Sequence, residues 1–195
     1  MFAFIEDIEM PPLGNQKSFT PIVQAEYIGN VATYIDQIEF NSDVQTALNL
    51  QNTFHRKYSV QAWKLEERKT MIVMRLEDAK ANYKLADEFL RKPDEEHQNL
   101  MHITYGVFRS VTIPPVEKVI LQTNSSTLQM EFTLPEAIKF LRKEITRLQQ
   151  QRLQIEHDID YLEDQVHVIE LNIAVLKKYE MRQQQQETEG FLDVK

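Results

Sequence analysis

Mostly aliphatic residues recur every seven positions in the C-terminal part of the chain, in two series that interleave with alternating steps of three and four. One series is Ile138, Ile145, Arg152, Ile159, Val166 and Ile173, and the other is Leu141, Leu148, Ile155, Leu162, Ile169 and Leu176. Alternating steps of three and four are the a/d pattern of a coiled coil. Arg152 is the one polar member, which we interpret as a residue that fixes register. A stripe this narrow must be buried against another helix.

A second pair of series, with more polar members, precedes it in the chain. These are Tyr58, Leu65, Ile72, Ala79 and Ala86, and Leu48, His55, Ala62, Lys69, Leu76, Tyr83 and Leu90. At the rise of an α-helix, each pair of series covers about 60 Å. Two seams of nearly equal length on either side of a compact connector predict an antiparallel coiled-coil hairpin within one chain, because a parallel homodimer would not require equal lengths.

Capping signals set the expected ends of the two long helices. Ser42 followed by Gln45, and Thr133 followed by Glu136, both have the form of a capping box. Pro93 disfavours helical geometry in the residue before it. We therefore expect the first coiled-coil helix over residues 42–92 and the second over residues 134–182. A flexible polar tail is expected over residues 183–195.

Residues 1–41 are expected to form an N-terminal extension. Pro21 favours the opening of a short helix, since proline is common at the first helical position. Apolar and aromatic residues then follow at helical spacing, namely Tyr27, Val31, Tyr34 and Ile38. The extension is therefore predicted to contain one short amphipathic helix.

The connector, residues 98–133, has the alternation of β-strands. Apolar and polar residues alternate from Thr127 to Phe132, and residues 118–122 precede a turn at residues 124–126. Residues 99–104 and 105–113 predict a second hairpin. Two isolated hairpins are marginal in water, and their open edges favour strand pairing. We therefore predict an assembly surface made of seven residues: Val107, Val111, Val119, Leu121, Leu128, Met130 and Phe132.

The composition excludes several classes of function. The chain has no cysteine, a net charge of −8 and four isolated glycines, so disulfides, thiolate metal sites and phosphate-cradling loops are not expected. The five histidines form no ligand set, and acidic residues outside the seam, Asp158 among them, are interpreted as a solvated face. We expect no enzyme activity, no cofactor, no nucleic-acid partner and no membrane partner. A cytoplasmic or nuclear location is expected.

The ends of the two seams bring a second group of apolar residues together in an antiparallel hairpin. These tip residues are Ile35, Ile38, Phe40 and Val44 on one side, with Leu176, Tyr179 and Met181 on the other. Two interpretations stay open. They are either core residues of a fraying end or an adaptable apolar patch for loose contact with other proteins, for which methionine and aromatic residues are suited.

The order of helix, two hairpins and helix resembles that of the α-class subunits of the prefoldin family. Four stretches carry the resemblance, and the Pro-Pro turn before Lys118-Val119 resembles the eukaryotic third subunit in particular. They are residues 57–58, residues 111–121, residues 130–137, and residues 160–165 with Glu170, Asn172 and Ala174. The resemblance covers roughly residues 42–181.

The resemblance implies a mainly α fold whose two hairpins contribute strands to an oligomeric β-barrel. It implies a hexamer in which this chain joins one further α-class subunit and four β-class subunits. Such a complex captures unfolded actin and tubulin and passes them to the cytosolic chaperonin without ATP hydrolysis. The tip residues would then contact clients or the chaperonin. The alternative is a structural coiled-coil tether or scaffold subunit without chaperone activity.

Overall fold

The computed structural model describes residues 16–36, 43–122 and 128–192, with side chains described as far as Gln186. Within these residues, three helices and four strands follow one another. They are α1 (Val31–Ile35), α2 (Val44–Arg91), β1 (His97–Thr104), β2 (Val107–Ile113), β3 (Lys118–Gln122), β4 (Gln129–Thr133) and α3 (Leu134–Leu192). The described residues form two compact units, which we call the strand unit (residues 71–152) and the terminal unit (residues 16–36, 43–70 and 153–192).

In the strand unit, the helical seam is closed by residues of α2 and α3 that sequence periodicity predicted. The buried side chains include Ile72, Leu76, Ala79, Tyr83 and Ala86 of α2, and Leu141, Ile145 and Leu148 of α3. Each large aliphatic side chain buried in this way contributes about 1.5–3 kcal/mol to stability. A polar contact supplements the seam: the Arg142 guanidinium donates to the Tyr83 hydroxyl at 3.1 and 2.8 Å.

The last turn of α2 departs from the predicted seam. Leu90 is exposed, and Phe89 is buried in its place. The reason is a contact where the chain leaves the helix, because the Phe89 ring packs edge-on against His97 with 4.8 Å between ring centroids. At the start of α3, Ala137 is likewise buried more deeply than Ile138.

In the terminal unit, the polar members of the first seam pair with glutamates of α3. Lys69 Nζ lies 3.8 Å from Glu156 Oε1, and His55 Nε2 lies 3.5 Å from Glu170 Oε1. Each step forward along α2 from His55 to Lys69 is matched by an equal step back along α3. This register identifies an antiparallel pair of helices, as predicted. It also explains why His55 and Lys69 are tolerated in the seam, because the polar ends of both side chains reach the edge of the seam and meet glutamates there.

The connector forms the two predicted hairpins. β1 pairs with β2 and β3 pairs with β4, both antiparallel, in two separate two-stranded sheets. The first hairpin turns at Tyr105 and Gly106, where Gly106 has a φ of 72°. That left-handed conformation is unfavourable for residues with a Cβ atom, so glycine is required there. The turn predicted at residues 124–126 lies outside the described residues.

Side-chain caps define where the long helices begin. The Glu136 carboxylate accepts hydrogen bonds from the Thr133 N–H at 3.0 Å and from its hydroxyl at 2.7 Å, which is the glutamate half of the predicted capping box. α2 begins at Val44, after Asp43, whose carboxylate accepts from the N–H groups of Gln45 and Thr46 at 3.1 Å each. The predicted cap at Ser42 lies outside the described residues.

Two predicted limits differ from the structure. α3 continues to Leu192, ten residues beyond the expected end at 182, because glutamine and glutamate favour helix even where no seam remains to be buried. The helix predicted from Pro21 to Ile38 is wrong over most of its length. Only Val31–Ile35 is helical, Tyr27 is exposed, and Ile38 lies outside the described residues. No helix in the described part of the chain is long and apolar enough to cross a membrane.

The cap at Glu136 predicts a pH dependence of stability. The hydrogen bonds, chiefly from the Thr133 hydroxyl, hold the pKa of the Glu136 carboxyl below its ordinary value. Its stabilising effect is therefore present at neutral pH and is lost as the pH falls through that lowered pKa. We expect Glu136→Ala to lower the thermal unfolding midpoint at pH 7, and we expect this difference to shrink as the pH falls through that lowered pKa. Glu67→Ala, at an exposed position in α2, is the control, and an unchanged Glu136→Ala difference at low pH would contradict the prediction.

Candidate protein-interaction surfaces

The second hairpin presents one mainly apolar face. Its register places Val119 opposite Phe132 and Leu121 opposite Met130, and side chains of these two cross-strand pairs share one face of the sheet. The Phe132 ring stacks on Phe140 of α3 at 5.2 Å between centroids and is half-buried by it. Met130 remains exposed, as does Leu128 just before the strand. Four of the predicted assembly residues therefore lie together, with Leu128 beside them.

The first hairpin carries exposed apolar side chains on both of its faces. Val107 and Val111 alternate with Phe108 along β2, so they lie on the face opposite to that of Phe108. Val107 and Phe108 are both exposed, and Val111 is half-buried. Among the described residues, neither face of this sheet is covered by a packed layer of side chains, as a face in a hydrophobic core would be.

Sequence periodicity missed several exposed apolar residues of the two hairpins. They are Leu100, Met101 and Ile103 of β1, Phe108 of β2 and Ile120 of β3. Their sequence signal is a run of apolar residues without strict alternation, which is typical of strands that are buried on both faces. Contiguous exposed apolar side chains of this kind are typical of a protein-interaction surface.

The edges of the hairpins lead to the same conclusion. In the described residues each sheet has only two strands, so every strand keeps one edge without a strand partner. Unpaired strand edges beside exposed apolar side chains are favourable sites for pairing with another chain. The predicted assembly residues thus belong to a surface able to associate through both main-chain hydrogen bonds and apolar contacts.

The tip residues are largely enclosed by the chain itself. Ile35, Val44 and Leu176 are buried in one cluster with Ile28, Val31, Ala47 and Leu48, and Tyr179 packs partly against that cluster. Helix α1 supplies Val31 and Ile35, so the N-terminal segment (residues 16–36) covers this end of the seam. Met181 alone among the described tip residues is exposed, at 58%. Ile38 and Phe40 lie outside the described residues.

A row of three polar residues on α3 holds the N-terminal segment. This polar ladder consists of Asp158, Gln165 and Asn172, seven residues apart and buried beneath the segment. The Asp158 carboxylate accepts hydrogen bonds from the N–H of Phe19 at 2.6 Å, the N–H of Thr20 at 2.9 Å and the Thr20 hydroxyl at 2.7 Å. Hydrogen bonds of N–H groups to a carboxylate are stronger than those to neutral acceptors.

The other two members of the polar ladder also bind main-chain atoms. Gln165 Oε1 accepts from the N–H of Ala25 at 2.8 Å. Asn172 Oδ1 accepts from the N–H of Ile28 at 2.8 Å, while its Nδ2 donates to the carbonyl of Glu26 at 2.8 Å. From α2, the Tyr58 hydroxyl donates to the carbonyl of Val23 at 3.0 Å. These bonds replace the intrahelical bonds that the sequence prediction assigned to this segment.

The interpretation of Asp158 as a solvated residue is therefore wrong, since only 1% of it is exposed. The sequence signal for Asp158 was a third heptad series, whose members each lie one residue before a member of the series that contains Ile159. Asp158, Gln165 and Asn172 are polar members of this third series. Within the described residues, no group of three or more His, Asp or Glu side chains could hold a metal ion. The polar ladder binds a segment of the same chain through its main-chain groups.

Comparisons with known proteins agree with this geometry. A family model described as prefoldin subunit matches residues 58–179. Prefoldin subunit 3 of Drosophila melanogaster is 30% identical over 189 residues, which are 96% of each chain. Prefoldin subunit 3 of Homo sapiens is 21% identical over 178 residues, covering 89% of this chain and 88% of that one. A probable prefoldin subunit 3 of Dictyostelium discoideum is 20% identical over 167 residues, 86% of this chain and 83% of that one.

The matched region includes most of α2, both hairpins and most of α3, so it carries the predicted assembly residues and the whole polar ladder. The chain belongs to the prefoldin family, whose members are subunits of a chaperone complex.

Proposed function

We propose that this chain is the α-class third subunit of a heterohexameric prefoldin in the cytoplasm. In this proposal the complex captures non-native actin and tubulin and passes them to the cytosolic chaperonin without ATP hydrolysis. Family membership supports the role in a chaperone complex. The observation that carries the assembly part is the pair of two-stranded hairpins with free edges and exposed apolar side chains.

Assembly follows from the energetics of the hairpins. A two-stranded sheet is marginal in water, whereas three or more strands with a covered apolar face are independently stable. Joining hairpins from several subunits into one closed barrel would pair the free edges and bury residues such as Val107, Leu128 and Met130. One further α-class subunit and four β-class subunits would supply the remaining strands.

Capture of a client requires weak contacts made by several subunits at once. When binding groups are linked in one complex, each further contact becomes intramolecular, and the overall affinity can exceed any single affinity by orders of magnitude. One exposed methionine on this subunit, Met181, can therefore contribute although its own contact is weak. Methionine suits such a contact because its flexible, polarisable side chain adapts to different partners.

A structural tether or scaffold subunit without chaperone activity is the second candidate. The burial of Ile35, Val44 and Leu176 inside the chain favours it, because these tip residues are enclosed by the N-terminal segment. An aggregation-suppression assay on the assembled complex separates the two functions. If the chain is only a tether, omitting or altering it changes the yield of assembled complex. Any complex that does assemble should then suppress aggregation as well as the unaltered complex does.

The assembly proposal predicts that charges placed in the hairpins prevent hexamer formation. We expect Val107→Asp combined with Met130→Asp to reduce hexamer yield by at least about tenfold, since carboxylates would be buried without partners. Co-expression with the other five subunits followed by native mass spectrometry measures the yield. Val60→Asp on α2 is the matched control, because Val60 and Val107 are similarly exposed at 53% and 49%. A stable monomer or homodimer of the unaltered chain would contradict the proposal.

The capture proposal predicts a small, specific effect at Met181. We expect Met181→Ser to raise the concentration of complex needed for half-maximal suppression of actin aggregation by about twofold, one weak contact among several. Met71→Ser is the matched control, since Met71 is 60% exposed and Met181 is 58% exposed. Equal effects of the two substitutions, with assembly intact, would remove Met181 from the client contact.

A further inference from the structure

The N-terminal segment is bound mainly through its backbone. All but one of its hydrogen bonds to the polar ladder join a side chain of α3 to a main-chain N–H or carbonyl, at Phe19, Thr20, Ala25, Glu26 and Ile28. Every residue except proline offers the same N–H and carbonyl groups. The polar ladder therefore recognises a conformation of the main chain more than a particular sequence.

The spacing of the polar ladder fits an extended chain. Gln165 and Asn172 are seven residues apart on α3, which is about 10.5 Å along a helix. Their partners Ala25 and Ile28 are three residues apart, which is about 9 Å in an extended chain of the polyproline II type, where residues three apart present their N–H groups to the same side. Over this interval an extended polypeptide stays in step with the heptad series. The interval between Asp158 and Gln165 is spanned by residues 19 to 25. These residues are not extended throughout, because the chain bends at Phe19 and Thr20.

Beyond the polar ladder, the same groove accepts apolar side chains. Ile28, Val31 and Ile35 of the N-terminal segment pack against Val44, Leu48 and Leu176. The groove, defined by the polar ladder and these three apolar residues of α2 and α3, therefore fits an extended backbone that continues into an apolar stretch. An extended backbone and exposed apolar residues together are what a non-native polypeptide offers.

We propose that this groove is the client-binding site of the subunit, and that residues 19–35 of the same chain are its competing occupant. The inference rests on the proposed capture of non-native chains, and it identifies where on this subunit a captured chain binds. A client binds when its own extended, apolar stretch replaces the N-terminal segment on Asp158, Gln165 and Asn172. The polar ladder then keeps hydrogen-bond partners in both states, which avoids the cost of leaving buried polar groups unpaired.

Competition by an attached occupant has a measurable consequence. The apparent affinity for a client falls in proportion to the fraction of subunits whose groove is open. Holding the N-terminal segment in place should therefore weaken capture, and loosening it should strengthen capture. A segment that is only a structural part of the subunit predicts no effect of holding it and a loss of capture when it is loosened.

A reversible cross-link tests the first consequence. Phe19 and His157 face each other with ring centroids 5.4 Å apart, neither side chain belongs to the polar ladder, and the chain has no other cysteine to react. We would join Phe19→Cys and His157→Cys in the assembled hexamer with a short bismaleimide that contains a disulfide. The other end of the segment is covalently continuous with α2, so this link restrains both ends.

The probe is reduced, carboxymethylated α-lactalbumin, a permanently non-native chain without free thiols. We expect the cross-linked complex to bind it at least about fivefold more weakly, and we expect reduction of the linker to restore binding in the same sample. Each single-cysteine variant treated with the reagent is a control. Equal binding before and after reduction would overturn the inference while leaving the proposed function intact. No binding by the unaltered complex would count against the proposed function instead.

Loosening the segment gives an independent test. Ile28→Ser with Ile35→Ser removes two apolar anchors of the segment and leaves the polar ladder unchanged. We expect affinity for the same probe to rise about fivefold or more. Val23→Ser with Tyr27→Ser is the matched control, because these two side chains of the same segment are exposed. Unchanged or weaker binding by the Ile28 and Ile35 variant, in a hexamer verified by native mass spectrometry, would contradict the inference.

Discussion

A helix whose apolar residues return every seven positions can bury them only against a second helix, and the rest of this structure depends on that pairing. In each unit α2 and α3 meet along such a stripe, and polar seam residues are tolerated where their ends reach the edge. His55 and Lys69 do so by pairing with Glu170 and Glu156. Apart from contacts such as those of Phe132 with Phe140 and of His97 with Phe89, the described residues of the helices leave the connector hairpins largely exposed, and this exposure supports the proposed assembly with other chains.

Features with a local cause could be predicted from the sequence. The seam follows from a repeat of seven, and the strands follow from short-range alternation and turn residues. The cap at Thr133 and Glu136 spans only four residues, and the Glu136 carboxylate binds Thr133 as that pattern predicts. The exchange of Leu90 for Phe89 could not be found in this way, because it depends on a ring contact with His97 after the helix has ended. The proposed roles of the assembly and tip residues stay predictions.

The N-terminal segment shows the limit of periodicity most clearly. Its apolar residues have helical spacing, yet the N–H groups that a helix would use are bound by side chains of α3. Asp158 lies 139 residues from Phe19 along the chain, and a carboxylate flanking a seam has the same local sequence pattern whether water or a backbone covers it. Only the recurrence of polar residues at Asp158, Gln165 and Asn172, against aliphatic neighbours, distinguishes the polar ladder in the sequence.

The great sequence separation of these contacts bears on the order in which the protein is made. The N-terminal segment is synthesised before α3, and the polar-ladder residues that bind it come 138 to 146 positions later. Until α3 has been synthesised, Ile28, Val31 and Ile35 can pack only against α2 residues such as Val44 and Leu48, because Leu176, which completes the cluster, is still missing. Docking of the segment on the polar ladder can therefore be completed only after α3 has been made, and a chain interrupted before Asn172 would lack part of the surface that covers this apolar stretch.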